Sequence, residues 1–220
     1  MCGELLAVLE RNSLTKNTLV ILSSDNGPVV DDGYKDDARE KLGDHRPAGP
    51  WRGGKYSIFE GGTRVPFIVR WPGRVQPGVS DALLCQVDFS ATFAALTGQK
   101  FDTKTAPDSR NVLPALLGDS RAGRTTLVEH SGGLAMRQGA WKFIPRRPGV
   151  KRLQFTGTDT GNHPEFQLYD LASDPGETNN VASAHLEKAN ELLALLEAEK
   201  AKGFPPAVKA GGTKPAATEE

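Results

Sequence analysis

Residues 18–22 read Thr-Leu-Val-Ile-Leu, an apolar run without alternation that stops abruptly at Ser23-Ser24-Asp25-Asn26-Gly27-Pro28. The run is short and partly β-branched, and a polar turn-like segment bounds it, which predicts a strand rather than a helix. Uniform apolarity suits a strand covered on both faces, as in the middle of a parallel sheet with helices above and below. The chain is therefore expected to be α/β, with Asp25 and Asn26 at the carboxyl end of a strand. In open α/β sheets that end is where loops converge and ligands collect.

Upstream, Leu5, Leu6 and Leu9 recur at helical spacing in a helix over 3–11, and no earlier strand is present to flank 18–23. The sequence thus opens inside an element, and the reading is a chain missing its beginning. Residues 31–50 carry mixed charge and then Pro47, Gly49 and Pro50, either a solvated excursion or a functional loop. Residues 66–71 predict a second strand. Asp88 reads as the N-cap of a helix over 89–97 with Phe89, Phe93 and Leu96 on one face, and residues 111–117 as a short helix ending at Gly118.

From about residue 125 the elements shorten. Residues 125–129, 134–137, 141–144 and 166–169 predict a small antiparallel sheet, with Gln138-Gly139 as a tight turn. Asp174 to Glu177 reads as a turn, and 183–202 as a helix placing Leu186, Ala189, Leu193 and Leu196 on one stripe against the sheet. Past Gly203 there is almost nothing to bury, which predicts disorder. The expected organisation is an α/β part over 1–122, an α+β part over 123–202 and a tail over 203–220.

Charge restricts the partners. With 27 Lys plus Arg against 27 Asp plus Glu in 220 residues, no global field directs the chain to nucleic acid or to an anionic membrane, so function must be local. No segment approaches the roughly 18 apolar residues of a membrane span, and residues 1–20 lack the order of a secretion signal. The compartment and the oligomeric state stay unassigned. Cys2 and Cys85 are too few for a disulfide scaffold or a Cys-rich zinc site.

Three segments carry candidate chemistry. The Asp25 carboxylate beside the Asn26 amide carbonyl offers two hard oxygen donors suited to Ca²⁺ or Mg²⁺, with Gly27 permitting a sharp turn; the same triplet is also an ordinary turn sequence. In Trp51-Arg52-Gly53-Gly54-Lys55 the glycines let backbone approach an anion while the lysine delivers a point charge, against the plainer reading of a flexible loop with a solvated lysine. Arg64, after the second glycine pair, reads as structural, holding its loop through a carboxylate or carbonyls. Asp44-His45 is a rival metal pair, although His45 reads rather as a substrate-pocket group or a surface histidine.

The succession SDNG, GPWRGGK, EGGTRVPFIVRWPG, HSGGLAMRQGAWKFI and LYDLASDPGETNN resembles, in order, the later part of the sulfatase family, of the arylsulfatase and N-acetylgalactosamine-6-sulfatase type. The resemblance implies the C-terminal part of an alkaline-phosphatase-like α/β/α sandwich, followed by a small α+β subdomain with an antiparallel sheet and a packed helix. It also implies hydrolysis of sulfate esters, Asp25 and Asn26 as ligands of calcium (magnesium as the alternative), and Lys55 as the catalytic lysine that contacts the sulfate. The nucleophile of such enzymes is a formylglycine hydrate made from Cys or Ser, expected here in the missing upstream part. Substrates would be sulfated small molecules or sulfated saccharides. Family members often act in the periplasm, outside the cell or in lysosomes.

Departures from the family pattern are equally specific. The nucleophile motif is Cys or Ser, any residue, Pro or Ala, any residue, Arg, and neither Cys2 nor Cys85 fits it. Ser120-Arg121-Ala122-Gly123-Arg124 matches the serine form but lies in a linker downstream of the metal pair, and is rejected. The two aspartates the family carries on an early strand have no candidate before Asp25. The 220 residues alone are therefore expected to hold calcium weakly, to show no turnover and to expose apolar surface beside 18–23. Two other readings stay open: a phosphatase or phosphodiesterase of the same superfamily, against which Asn26 in place of a His argues, and a non-catalytic remnant binding a divalent cation or an anion. His130-Ser131 lacks a nucleophile elbow, and Trp141 is expected to pack the hairpin against the last helix.

Overall fold

The computed structural model describes residues 2–202, so the tail expected to be disordered lies outside the described residues. In chain order the elements are α1 (Cys2–Arg11), β1 (Val20–Ser23), α2 (Ala38–Leu42), α3 (Glu60–Thr63), β2 (Phe67–Arg70), α4 (Phe89–Leu96), α5 (Leu113–Leu116), β3 (Thr126–His130), β4 (Leu134–Gln138), β5 (Trp141–Ile144), β6 (Gln167–Asp170) and α6 (Leu186–Ala201). Two 3-10 turns, Thr15–Asn17 and Gln86–Asp88, precede β1 and α4. The segment over 31–50 is less irregular than its composition predicts, since α2 interrupts it.

β1 pairs antiparallel with β2, Val20 opposite Arg70 and Ser23 opposite Phe67, and the two make the whole of that sheet among the described residues. Among the described residues β1 thus has no parallel neighbour, and the apolar surface expected to be exposed beside 18–23 is present. Apolar uniformity reports how much surface a strand offers for burial, not the direction of the strand beside it. The cross-strand partners Leu22 and Ile68 are 45% and 57% exposed on one face. The pair is pinned at both ends: Trp71 Nε1 donates to the Lys16 carbonyl at 2.8 Å and Ser23 Oγ to the Pro66 carbonyl at 2.9 Å. α1 forms over the predicted residues but buries none of them.

Asp88 precedes α4 as expected, yet its carboxylate does not cap that helix. It is buried and accepts from Arg124 Nε at 2.7 Å, from Arg110 N at 2.9 Å and from Cys85 N at 3.2 Å, the last closing the 3-10 turn. A buried guanidinium needs a carboxylate, and that demand outweighs one helix N–H group.

The second half is a four-stranded antiparallel sheet in the order β3-β4-β5-β6. β4 and β5 are joined across Gly139-Ala140, one residue later than predicted, with Gly139 at φ 56°. Period-two alternation splits the sheet into two apolar faces. Met136, Phe143 and Leu168 pack with Ala182, Ala189, Leu192 and Leu196 under α6. Ala135, Ile144 and Tyr169 pack on the other face with Ile58 and Phe59, which come from the first half of the chain. The helix stripe is rotated from the predicted one: Leu192 is fully buried and Leu186, in the first turn, is exposed. Trp141 is half-buried against the α6 cluster, with its ring 5.4 Å from that of His185.

Candidate functional site

The polar exit of β1 is stitched to the glycine-rich segment at two points. Gly27 N donates to the Gly62 carbonyl at 2.9 Å, and Lys55 N to the Pro28 carbonyl at 2.9 Å. Gly27 does not have the positive φ its expected turn would require; instead, a β-carbon there would lie 1.8 Å from the Gly61 carbonyl oxygen. Glycine is therefore demanded by close backbone approach, not by turn geometry.

These contacts form one wall of an open depression of about 660 Å³, lined in part by Asp25, Asn26, Trp51, Lys55 and Arg64. Asp25 is exposed and, among the described residues, receives only a long contact, 3.5 Å, from Ser24 Oγ. Asn26 Nδ2 donates to the Gly27 carbonyl at 2.9 Å, an orientation in which the amide oxygen, not the nitrogen, would suit a cation. Two hard oxygens fit part of a calcium shell, which takes six to eight. Among the described residues no group of three His, Cys, Asp or Glu is placed to hold a metal. His45 is exposed and is not part of the lining, so the structure does not join it to the other predicted site residues.

Lys55 has a partner that sequence reasoning missed. Its Nζ lies 2.6 Å from Asp32 Oδ2, and the Tyr56 hydroxyl donates to Asp32 Oδ1 at 3.0 Å. The hydrogen bond to Asp32 holds the Lys55 ammonium above its usual range, and the reciprocal bond from Lys55 holds the Asp32 carboxyl below its own. Tyr56 adopts φ 76°, a strained setting for a non-glycine residue beside the lysine. Arg64 stacks on Trp51 with its guanidinium carbon 4.1 Å from the ring centroid and reaches Glu60 at 3.5 Å, in line with a structural role.

A second group of charged residues forms a buried ionic cluster between α3 and the four-stranded sheet. Lys142 is fully buried on β5, its Nζ 2.7 Å from Glu129, 3.0 Å from Glu60 and 3.5 Å from Glu177. Arg137 also pairs with Glu60 at 2.8 Å, and a Glu177 carboxylate oxygen accepts from Glu60 N at 2.6 Å at the start of α3. Burial opposes charge on Lys142, but the fields of Glu129, Glu60 and Glu177 outweigh it and keep the ammonium charged. Burial also pushes Glu129 up, and pushes Glu177 up to about 7 despite Lys142. Glu60 goes the other way: burial is overcome by Lys142 and Arg137, and its carboxyl sits below the ordinary range. The sequence signal was a lysine in phase with Ile144 on a strand whose two faces are both buried.

A family model described as Sulfatase matches residues 1–99, and one described as N-sulphoglucosamine sulphohydrolase, C-terminal, matches residues 53–202. The chain is 46% identical to an N-acetylgalactosamine-6-O-sulfatase of Bacteroides thetaiotaomicron over 90% of its own length and 39% of that protein's. It is 32% identical to human arylsulfatase A over 97% of its length and 45% of that protein's. A solved structure from work on glycosaminoglycan metabolism by Bacteroides thetaiotaomicron superposes with a TM-score of 0.86 at 46% identity, covering 90% of this chain and 42% of the other. A sulfatase from Pseudoalteromonas sp. gives 0.70 at 26% identity, covering 90% and 40%. The chain thus spans about two fifths of the length of the relatives it matches.

Proposed function

The chain belongs to the sulfatase family, and on that premise we propose that it carries the calcium-and-lysine side of a sulfuric ester hydrolase site. Asp25 and Asn26 would hold the cation and Lys55 would contact a sulfate oxygen. What supports the reading is the single depression that collects all three residues at the exit of β1. When bound, calcium supplies positive charge to sulfate oxygens as charge redistributes during S–O cleavage. The residues present do the rest: Asn26 presents its oxygen because its nitrogen is engaged, and the Lys55 ammonium is held at the depression by its pairing with Asp32 at 2.6 Å. The substrate class we propose is a sulfated saccharide, after the N-acetylgalactosamine-6-O-sulfatase that is 46% identical.

No residue of this chain is assigned as nucleophile, because neither cysteine lies in a formylglycine pattern and the serine form at Ser120–Arg124 lies in a linker downstream of Asp25 and Asn26. The 220 residues alone are accordingly proposed to be inactive on 4-nitrocatechol sulfate with calcium present. Binding is tested with Tb³⁺, which takes the same hard oxygen ligands and can be sensitised by Trp51 on the depression's wall. We expect sensitised luminescence competed by calcium at about millimolar concentration, as befits a two-ligand site. Luminescence unchanged in Asp25→Ala, or turnover by the isolated chain, would refute the corresponding half of the proposal.

A further inference from the structure

We propose that Arg52 is a positioning residue for Lys55, and that its grip comes from Asp159 in the connection between β5 and β6. The inference rests on the reading of Lys55 as the sulfate contact. Of the two cations in Trp51-Arg52-Gly53-Gly54-Lys55, the arginine is engaged by the fold on every side. Its Nε and one terminal nitrogen both donate to Asp159 Oδ2, at 3.0 and 2.7 Å, and the other terminal nitrogen donates to the Glu177 carbonyl at 2.6 Å. Its guanidinium carbon lies 4.0 Å from the Phe59 ring centroid, and its own carbonyl accepts from Gly61 N at 2.7 Å. Asp159 is itself fixed, accepting from Gly161 N at 3.2 Å.

Only Gly53 and Gly54 separate this anchor from Lys55. Glycine contributes no side-chain packing to stiffen the link, and Gly53 sits at φ 84°, where most residues would be strained. The placement of Lys55 is therefore set by what holds the backbone at the two ends of the dipeptide, together with the bond from Ser57 N to the Gly54 carbonyl at 2.9 Å and the pairing of Lys55 Nζ with Asp32. One end is Arg52; the other is the bond from Lys55 N to the Pro28 carbonyl, beside the Asp25-Asn26 pair. Asp159, 107 positions beyond Arg52, thereby aligns the lysine with the two oxygen donors. Lysine at position 52 would keep the charge but lose the fork that spans Asp159 and the Glu177 carbonyl.

The test uses the 220-residue chain and its Asp159→Asn, Arg52→Lys, Asp159→Glu and Lys55→Ala variants. Two readouts are taken: amide hydrogen exchange at Lys55 and Gly61 against the β4–β5 ladder, and a sodium sulfate titration at constant ionic strength followed at the Gly53–Lys55 amides. In Asp159→Asn and Arg52→Lys we expect exchange at Lys55 and Gly61 to rise about tenfold with the ladder unchanged, and sulfate affinity to fall about threefold to tenfold. Asp159→Glu, which keeps the carboxylate, should recover most of both. Unchanged exchange and affinity in Asp159→Asn and Arg52→Lys would overturn the inference, while Lys55→Ala losing sulfate would leave the functional reading standing. Exchange rising through the ladder as well would also overturn it, since the pair would then hold the sheet rather than the loop. Sulfate binding unaffected by Lys55→Ala would instead defeat the functional reading on which the inference rests.

Discussion

A methyl group at Gly27 would meet the Gly61 carbonyl oxygen at 1.8 Å and Gly62 Cα at 2.9 Å, all backbone atoms that cannot rotate away. Gly27→Ala should therefore push the β1 exit off the glycine-rich segment and cost about 2–3 kcal/mol, the upper part of the range of overpacking in a tight core. Urea unfolding of the two chains measures it, and equal midpoints would show that the segments separate freely. At this scale, legibility followed sequence distance. Asp25, Asn26 and Lys55 could be singled out as candidates because each lies in a short motif with its own chemistry. The Lys142–Glu60 pair joins residues 82 apart in sequence, and neither neighbourhood announces the other. Asp32 was hidden differently: it stands in a run of acidic residues that reads as a solvated loop, and only folding brings its carboxylate to Lys55.

Among the elements, β3 to β6 were legible because alternation, turn residues and spacing all point to an antiparallel meander, and errors there are one-residue shifts. β1 was legible as a strand but not in its pairing, since the apolar run says nothing about which neighbour arrives. Its pairing with β2 leaves Leu22 and Ile68 side by side and exposed, and α1 adds exposed Leu5 and Val8 nearby in sequence. Exposed strands with apolar faces template association. We expect the isolated chain to self-associate with rising concentration, and Ile68→Lys to suppress this by placing a charge on the β2 face. Sedimentation velocity across a concentration series decides the matter; a parent chain that stays monomeric throughout would show that this face does not drive association.

On the scale of the whole molecule, the buried cluster of Glu60, Glu129, Glu177 and Lys142 joins α3, β3, β5 and the turn before α6, so its protonation is coupled to the stability of the fold. The Glu177 carboxyl titrates at about 7 when folded against an ordinary 4.5, because burial favours its neutral form. The unfolded chain releases that proton at lower pH, so the native state binds more protons between the two values. Stability is fully present below pH 4.5 and is lost as pH rises through about 7, by about 3 kcal/mol for this group. Glu129, also raised by burial, acts with the same sign. Glu60, held low by Lys142 and Arg137, acts oppositely: its contribution is present above 4.5 and disappears as pH falls through its lowered value. Asp32 and Asp174 are lowered too, so their contributions are likewise lost only in acid. The opposing slopes leave a maximum near pH 5, and denaturant midpoints should decline from there to pH 8. Glu177→Gln keeps an oxygen to accept from Glu60 N while removing the titration, so its profile over the same range should be flatter and higher at pH 8. A parent profile that is level or rising from pH 5 to 8 would mean that the carboxylates around Lys142 stay ionised and that the cation, not a retained proton, balances them.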